Sequence, residues 1–518
     1  MEEKSALHLL DKRFSGIRQL FFSRMTLAIG LLIVNFLLMI GIYLRFQEYF
    51  LPYFGGSSLL AVFMVLWIIN RPMDPSIRTT WIIVVVSMPV LGSFLYLFSG
   101  LNLGHRLMNR QIRRSITDSQ KALNLDLNRN DLQDDMDPGV ASLCRYLQNF
   151  GNPIYHNTNT LYFPSGEAML EDMLIQLDKA KKSIFMEYFI VSEGKMWGSI
   201  LQILAQKVAQ GVDVRVLYDG TTEFMLLPKD YPQKLKKLGI SCKVFSPFSP
   251  FVSTHYNYRD HRKICVIDGD IAYTGGVNLA DEYINIGSKY GHWKDAAIRL
   301  RGDGAEGFSR LFLEMWNLTE KHPSYKSEHP KEAPINPGLT IPFGDNPLPE
   351  YKCGKQVYMN MINRAVRSVK IMTPYLILDN EMENCLIFAA QRGVQVELIV
   401  PGVADKYVAS CLAYTHYDTL LKNGIHIYEY APGFVHSKVV LCDDREAVVG
   451  TINFDYRSFV HHFECGVYLF HTESIAQILL DFSNTFPLCK QVNMAQLPNI
   501  PWHKRVMGFL LKGFSPLL

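Results

Sequence analysis

The sequence predicts an α/β protein in which mixed sheets flanked by helices form two similar halves. Transmembrane helices are expected to precede these halves. Three observations support this prediction: a histidine-lysine-aspartate motif occurs twice, strand-helix-strand patterns surround each copy, and the long apolar runs are confined to the N-terminal part of the chain. Because the two motifs are equivalent, we expect pseudo-symmetric halves that share one site.

The repeated motif is the most specific feature of the chain. It reads HRKICVIDGDIAYTGGVN from His261 and HSKVVLCDDREAVVGTIN from His436, with an asparagine at the same offset in both copies. One such histidine-x-lysine-x4-aspartate match has odds of roughly a few per cent by chance. Two copies with matched asparagines indicate that two half-sites meet, and that each supplies one imidazole and one ammonium group.

Each copy is typical of a β-hairpin. In the first copy, the strand Lys263–Ile267 leads through a glycine-containing turn into a second strand. Alternate residues of a strand face the same side, so His261 and Lys263 project together, as do His436 and Lys438.

The motif aspartates, Asp268 and Asp443, fall in the hairpin turns. An odd number of residues separates each aspartate from its lysine. Turn aspartates commonly accept hydrogen bonds from backbone N–H groups. We therefore expect them to form the turns rather than to act as the chemical acid or base.

Two His-Lys pairs facing each other suit phosphoryl transfer. The lysines would stabilise non-bridging oxygens, while one neutral imidazole attacks phosphorus and the other, protonated, donates to the leaving oxygen. Asn278 and Asn453 would add neutral donors to phosphate. The reaction needs no metal or other cofactor, and the sequence shows no cluster with metal-ligand spacing.

An imidazole that bonds to phosphorus must be held in one tautomer, usually by a carboxylate on its other nitrogen. Asp295, in HWKD, and Glu464, in HHFE, lie downstream of the first and second motifs. Both are candidates for orienting the histidines, with a solvated surface position as the alternative.

Strand-helix-strand units recur in both halves. Lys181–Val191 and Val366–Ile377 read as strands, and each precedes a helical stretch that ends in a glycine, in AQGV or QRGV. Glycine there is typical of a helix C-cap, and a V-x-V strand follows at once. This spacing predicts parallel βαβ units with helices on the faces of the sheet.

Three apolar runs define the expected membrane anchor, residues 1–100. Thr26–Leu44 and Trp81–Phe98 approach the roughly twenty apolar residues of a transmembrane helix, whereas Leu59–Ile69 is borderline and has a buried or re-entrant segment as its alternative. Two or three spans are expected. Thr26–Leu44 is long for a signal peptide and lacks a following cleavage site, so it indicates an anchor.

Basic residues flank this region on both sides, and the positive-inside rule assigns both flanks to the cytoplasm. Two spans satisfy that rule and three do not. The residues are Lys4, Lys12, Arg13, Arg18 and Arg24 before the first run, and Arg106, Arg110, Arg113 and Arg114 after the last. We expect a multi-pass membrane protein with a cytoplasmic catalytic part.

The composition of the chain limits the classes of partner and metal site that we expect. The net charge of +3 gives no reason to expect a nucleic-acid partner. The nine cysteines show no paired spacing, and Cys265 and Cys442 lie on apolar motif strands as expected buried thiols. This pattern favours a reducing compartment and no zinc site.

The expected organisation follows from these patterns and from a segment rich in Pro, Lys, Glu and Ser between the halves. A basic and aromatic C-terminal segment ends the chain; it fits either a packed terminal helix or an amphipathic helix on the bilayer surface. The boundaries are 1–100 for the anchor, 101–140 for a helical connector, 141–325 for the first half, 326–350 for the linker, 351–500 for the second half and 501–518 for the C-terminal segment.

At roughly residues 140 to 500 the chain resembles the phospholipase D superfamily. The longer words YRDHRKICVIDGDIAYTGGVNLADEY, YGHWKDAAIRLRG, GFVHSKVVLCDD and GTINFDYRSF are similar to bacterial cardiolipin synthases. Two departures stand out: Gly276 and Thr451 occupy a position where the superfamily often has serine, and His462 replaces a common asparagine.

The resemblance implies two phospholipase D-type α/β/α halves with the site at their junction, in a bacterial cell membrane. It implies transfer of a phosphatidyl group from one phosphatidylglycerol to another, with cardiolipin and glycerol as products. One histidine would become a phosphohistidine and the other would act as general acid and base, with His261 favoured as nucleophile. The implied catalytic residues are His261, Lys263, Asp268, Asn278, His436, Lys438, Asp443 and Asn453.

Several alternatives stay open. The same chemistry with water would make the chain a phospholipase D hydrolase, and with phosphatidylethanolamine or another alcohol a different phosphatidyltransferase. A superfamily nuclease is disfavoured by the low charge and the apolar runs. A non-catalytic membrane scaffold would lack a motif His or Lys, and all four are present. A homo-oligomer is compatible with the sequence, which does not specify oligomeric state.

Overall fold

The computed structural model describes residues 56–100, 103–122, 136–247, 258–326, 338–348 and 352–517, with isolated positions 37, 40, 41 and 45. Most of the predicted anchor Thr26–Leu44 lies outside the described residues, as does most of the predicted linker. All further statements concern the described residues.

Three short helices form the described N-terminal region: α1 (Gly56–Ile69), α2 (Pro75–Ser87) and α3 (Pro89–Gly100). Trp81–Phe98, expected to form one span, is divided between α2 and α3. The break falls at Met88 (φ −138°, ψ 74°), because the ring of Pro89 disfavours helical geometry in the preceding residue. Within the part of the chain that the structure describes, no helix is both long enough and apolar enough to span a bilayer.

The predicted helical connector forms α4 (Leu103–Ala122) and the start of α5 (Pro138–Asn149). Helix α4 packs on α10 (Ala305–Trp316), where the Ser119 hydroxyl donates to Glu314 at 2.6 Å. Helix α5 buries its apolar face in the core of the second sheet. The predicted boundary at 141 is therefore wrong, since α5 packs with the second half.

The first sheet has seven strands in the order β1-β9-β7-β6-β2-β3-β4. Its strands are β1 (Thr158–Phe163), β2 (Ser183–Tyr188), β3 (Asp213–Asp219), β4 (Ser241–Phe245), β6 (Lys263–Ile267), β7 (Ile271–Gly275) and β9 (Ala297–Gly302). Its helices are α6 (Gly166–Asp178), α7 (Lys195–Ala209), α8 (Gly220–Met225) and α9 (Tyr231–Lys237).

The second sheet repeats this order as β10-β17-β16-β15-β11-β12-β13, with β18 added at the edge. Its strands are β10 (Leu339–Asp345), β11 (Ser368–Met372), β12 (Gln395–Pro401), β13 (His426–Tyr430), β15 (Val439–Cys442), β16 (Glu446–Gly450), β17 (His462–Phe470) and β18 (Cys489–Val492). The helices of this half are α11 (Cys353–Arg364), α12 (Asn380–Gln391), α13 (Tyr407–Lys422), α14 (Ser474–Thr485) and α15 (Trp502–Lys512).

Matching strand orders confirm the α/β fold with two pseudo-symmetric halves. Strand β10 lies inside the predicted linker 326–350 and pairs with β17 along its whole length, so that part of the linker assignment is wrong.

The predicted βαβ units are confirmed, because β2 pairs in parallel with β3 and β11 with β12. Gly211 (φ 86°) and Gly393 (φ 89°) end the intervening helices in the left-handed region. The next N–H turns back to the helix, from Val212 to the Lys207 carbonyl and from Val394 to the Ala389 carbonyl. These are glycine C-caps, as predicted.

Two strand pairs join the halves near the motifs. Strand β5 (Arg259–Asp260) pairs in parallel with the start of β17, and β8 (His292–Lys294) pairs in parallel with β14 (Gly433–Val435). An apolar core between the sheets contains side chains of both halves and of α4, α10 and α14. The halves are therefore one packed body, with the motif histidines at its junction.

Candidate active site

The inter-half strand pairs place each motif histidine beside a carboxylate from the opposite half. The N–H of His261 donates to the Phe463 carbonyl at 2.9 Å, and the N–H of His436 donates to the Lys294 carbonyl at 2.7 Å. Phe463 immediately precedes Glu464, and Lys294 immediately precedes Asp295.

Both histidines bind their carboxylates through Nδ1. His261 Nδ1 lies 2.9 Å from both carboxylate oxygens of Glu464, and His436 Nδ1 lies 2.8 Å from Asp295 Oδ2. All four side chains are buried. Both candidate carboxylates thus contact an imidazole, each across the junction from the opposite half, and their orienting role stays a prediction. With Nδ1 engaged, Nε2 of each imidazole is the nitrogen left for substrate.

The motif lysines accompany the histidines as the strand pattern predicted. Lys263 Nζ donates to the His261 carbonyl at 2.6 Å, and Lys438 Nζ donates to the His436 carbonyl. Burial lowers the pKa of Lys263 to about 8 and, together with the positive charge of Lys263, that of Lys438 to about 7. When both lysines are protonated, their ammonium groups make the junction electropositive.

Burial and the neighbouring lysines hold both imidazoles neutral. Burial and Lys263 lower the pKa of His261 well below its ordinary value, whereas burial and Lys438 lower that of His436 to about 4 against the opposing pull of Asp295. Although burial raises the pKa of Asp295, His436 and Lys438 bring it below its ordinary value. Burial raises the pKa of Glu464 well above its ordinary range, opposed by Lys263.

Comparison with known proteins identifies the family. The family described as "Cardiolipin synthase, PLD-like domain" matches residues 173–288 and 358–486, and "Phospholipase_D-nuclease N-terminal" matches residues 59–100. A cardiolipin synthase of Halalkalibacterium halodurans is 32% identical over 464 residues, which cover 88% of this chain and 91% of the relative.

The chain belongs to the cardiolipin synthase family. Within the phospholipase D superfamily it is an enzyme of the phosphatidyltransferase class.

Two further relatives bear on this assignment. A cardiolipin synthase of Alkalihalophilus pseudofirmus is 31% identical and covers 89% of this chain and 92% of its own. An uncharacterized protein of Streptococcus mutans is 45% identical over 458 residues, which cover 88% of this chain and 99% of that protein. In fold, the chain is similar to phosphatidylserine synthase of Haemophilus influenzae, with a TM-score of 0.53, 14% identity and coverage of 69% of this chain and 93% of that chain.

The motif aspartates accept hydrogen bonds from backbone N–H groups of residues that are distant along the chain. Asp268 accepts from the N–H groups of residues 181–183 at 2.7–3.2 Å, and Asp443 accepts from those of residues 366–368 at 2.7–3.2 Å. These residues lead into the first strand of each βαβ unit, β2 and β11. The structural interpretation of the aspartates is thus confirmed, but the contact anchors a neighbouring strand as well as the turn. Neither carboxylate is hydrogen-bonded to a motif histidine.

The two asparagines are partly occupied by protein contacts. Asn278 Oδ1 accepts from the Ile190 N–H at 3.1 Å and its Nδ2 donates to the Tyr283 hydroxyl at 2.6 Å. Asn453 Nδ2 donates to Asp455 at 3.1 Å. Because an amide nitrogen carries two hydrogens, each asparagine has a second N–H beyond this contact, and its role in binding phosphate stays a prediction.

The sequence departure at Gly276 and Thr451 makes the half-sites unequal. The Thr451 hydroxyl donates to Glu464, whereas a Cβ at Gly276 would lie 2.0 Å from Asp295 Oδ1. Glycine at this position therefore leaves the space that Asp295 needs to reach His436. The absence of a hydroxyl contact in the first half is confirmed, with close packing as its reason.

His462, which in the sequence stands out only as a departure from the family pattern, lies in the site. Its ring centroid is 5.2 Å from that of His261, and its Nδ1 is 3.3 Å from Glu464 Oε1. These three residues also bring potential metal-ligand atoms within 4.8 Å of one another. Because hydrogen bonds already join Glu464 to both imidazoles, a cation there would have to replace those bonds. The absence of a metal requirement stays a prediction.

Aromatic rings pack around both imidazoles. Phe189 lies edge-on to His261 at a centroid distance of 5.0 Å. Tyr283 and Trp293 contact His436 at 5.3 and 5.4 Å, and Phe434 at 5.9 Å. This packing limits imidazole rotation and removes water from the rings, which strengthens the charge interactions of the site.

Proposed function

We propose that this enzyme is a cardiolipin synthase that transfers a phosphatidyl group from one phosphatidylglycerol to another, giving cardiolipin and glycerol. The observation that carries the proposal is the pair of crossed His-carboxylate contacts at an electropositive junction. It provides two imidazoles with Nε2 left for substrate and two lysines for the phosphate charge.

In the first step, His261 Nε2 attacks the phosphorus of the donor lipid. The bond from phosphorus to the headgroup glycerol oxygen breaks. His436 is neutral in the substrate-free site but becomes protonated when the anionic phosphodiester binds beside it, and it gives this proton to the leaving oxygen, so that glycerol leaves. In the second step, His436 takes the proton from a headgroup hydroxyl of the acceptor phosphatidylglycerol. That oxygen attacks phosphorus, the phosphorus-nitrogen bond breaks, cardiolipin forms and His261 is free again.

The unequal surroundings support this division of roles. His436 faces a carboxylate whose pKa is lowered, so an ionised Asp295 stabilises the imidazolium that a general acid needs. His261 is harder to protonate, because burial and Lys263 lower its pKa well below the ordinary value, and so it keeps a free electron pair for attack.

Contacts at the end of the chain support a membrane setting for the reaction. Helix α15 packs on α13 through Gly508, where a Cβ would lie 2.4 Å from the Cys411 carbonyl oxygen. Its outer face leaves Trp502 72% and Phe509 80% exposed, and basic side chains flank them. Such a face suits the surface of an anionic bilayer, as does the expected integral anchor. The catalytic part is proposed to face the cytoplasm of a bacterial cell.

The test is the lipid product formed by purified protein in phosphatidylglycerol vesicles, for the wild type and for His436→Ala. Cardiolipin and glycerol from the wild type alone, in equal amounts and undiminished by a chelator, are expected. Phosphatidic acid as the main product would make the enzyme a hydrolase. Product only from phosphatidylethanolamine or an added alcohol would assign another acceptor, and no product from any phospholipid would refute the proposed catalysis.

A further inference from the structure

A third imidazole stands beside the two motif histidines. His462 begins β17, pairs with Arg259 of the first half and is 8% exposed. It hydrogen-bonds to Glu464 through Nδ1, as His261 does, and the two rings are tilted by 40°. The shared carboxylate therefore holds two imidazoles by the same nitrogen, one next to the other.

The other nitrogen of His462 lacks a protein partner. Among the residues that the structure describes, no hydrogen-bonding group meets the buried His462 Nε2. A buried polar atom without a partner costs about 1–3 kcal/mol, so such atoms are few in folded proteins and are common where a ligand supplies the missing group. Because the His462 ring centroid lies 5.2 Å from that of His261, the proposed nucleophile, the missing partner points to a substrate group.

The hydrogen-bond pattern specifies the chemistry of that group. In the tautomer that donates Nδ1–H to Glu464, Nε2 of a neutral ring can only accept. His462 is also neutral, since burial and the charges of Arg457, His461, Lys263 and Lys406 lower its pKa well below the ordinary value. A neutral acceptor offers nothing to a phosphate oxygen, which also only accepts, but it binds a hydroxyl well. The surrounding positive charge disfavours an ammonium headgroup such as ethanolamine.

We propose that His462 Nε2 accepts a hydrogen bond from a hydroxyl of the glycerol headgroup and so selects glycerol-bearing substrates. The inference rests on the proposed function and adds a headgroup-binding residue to it. The incoming glycerol takes the place at phosphorus that the leaving glycerol vacates, so one subsite serves both steps. The hydroxyl bound is one that does not react, which distinguishes glycerol from an alcohol with a single hydroxyl.

The experiment measures how the enzyme divides the phosphatidyl group of phosphatidylglycerol between two added acceptors. Labelled glycerol and 1-propanol compete at equal concentration, and the ratio of labelled phosphatidylglycerol to phosphatidylpropanol is determined. His462→Phe keeps ring volume and removes Nε2, whereas His462→Asn retains an acceptor oxygen. The neighbouring His461→Phe is the matched control, since His461 Nε2 is directed to the Pro516 carbonyl at 3.4 Å.

His462→Phe is expected to lower the glycerol-to-propanol ratio about tenfold, the loss of one neutral hydrogen bond of roughly 1.4 kcal/mol. His462→Asn is expected to keep most of the preference, and His461→Phe all of it. Because the ratio does not depend on the folded fraction, a merely structural defect would leave it unchanged. A wild-type ratio in His462→Phe would overturn the inference alone. Absence of any transfer from phosphatidylglycerol by the wild type would instead overturn the proposed function.

Discussion

The first and second half-sites contain the same His-x-Lys pair, yet the carboxylates that orient the two histidines have different surroundings. Asp295 is bound to His436 and to one backbone N–H, that of Ala296, and Gly276 leaves it room. Glu464 is shared by His261, His462 and the Thr451 hydroxyl.

This difference is sufficient to divide the chemistry between two equivalent motifs. Asp295 is the more readily ionised carboxylate and Glu464 the less, because burial raises the pKa of Glu464 far more than its donors lower it. A symmetric fold thus gives one imidazole, that of His436, which gains a proton more readily, and another, that of His261, which stays unprotonated. The predictions below test this inequality, beginning with the largest expected effect.

Neutralising the two carboxylates should have unequal consequences. Asp295→Asn removes the charge that stabilises the His436 imidazolium, and we expect kcat to fall by about 10⁴-fold, as for an orienting aspartate of a catalytic triad changed to asparagine. Glu464→Gln should cost about 10²-fold, because a less readily ionised carboxylate contributes less charge. Initial rates of cardiolipin formation from phosphatidylglycerol provide the measurement, and equal losses in the two variants would contradict the inequality.

Adding a side chain at the glycine of the first half should cost more than removing the hydroxyl from the second. Gly276→Ala places a methyl group against Asp295 and the His436 carbonyl, so we expect about a 10²-fold loss of kcat through a displaced imidazole. Thr451→Val removes one hydrogen bond to Glu464 while keeping the side-chain shape, and a loss of about tenfold is expected. A tolerated alanine at position 276 would argue against the close packing that separates the half-sites.

The pH profile should be limited on the alkaline side by a lysine of the second half. The protonated ammonium stabilises the phosphate, so kcat/KM should fall as pH rises through the Lys438 pKa of about 7 and then through the Lys263 pKa of about 8. On the acid side, the rate should fall once His261, whose pKa lies well below its ordinary value, is protonated and loses the electron pair that attacks phosphorus. Lys438→Arg should move the alkaline fall of kcat/KM to higher pH, because the guanidinium group stays charged.

Lys263→Arg is the matched variant for this profile. It should leave the first alkaline fall near pH 7, since Lys438 still titrates there. If Lys263→Arg moved that fall upward and Lys438→Arg did not, the order of the two lysines would be reversed.

The motif aspartates should affect stability more than chemistry. Asp443 is buried and Asp268 half-buried, and each accepts from three successive backbone N–H groups. We expect Asp443→Asn to lower the free energy of unfolding by about 2–3 kcal/mol and Asp268→Asn by about 1 kcal/mol. Thermal unfolding and the specific activity of the folded fraction separate the effects. A lost activity with an unchanged Tm would indicate a direct part in the reaction.

Local patterns in the sequence predicted the parts of the fold that depend on neighbouring residues. Short sequence patterns predicted the hairpin beginning at Lys263 and the glycine C-caps at Gly211 and Gly393, because such patterns determine the local backbone geometry. The repeated motif likewise predicted two equivalent halves, and the position of Asp295 and Glu464 downstream of the motifs made them candidates for orienting the histidines.

Contacts between residues far apart along the chain could not be predicted in this way. Nothing local shows that Glu464 serves the histidine of the other half, since that depends on the pairing of β5 with β17. Strand β10 was hidden because a proline- and charge-rich stretch precedes it, and its pairing with β17 overrides the local composition. Pro89 indicates the break at Met88, but the expectation of one span was based on the apolar character of the whole run and did not take this proline into account.

The central claim is that the two half-sites form one site with divided roles, and trapping the covalent intermediate tests it most directly. Phosphatidylglycerol labelled in its phosphate group would be mixed with enzyme and denatured within a turnover under alkaline conditions, in which phosphohistidine is stable. The labelled peptide would then be mapped. The account predicts label on His261 in the wild type, none in His261→Ala, and none on His436 in any variant. Label on His436, or on both histidines of the wild type, would contradict the assignment.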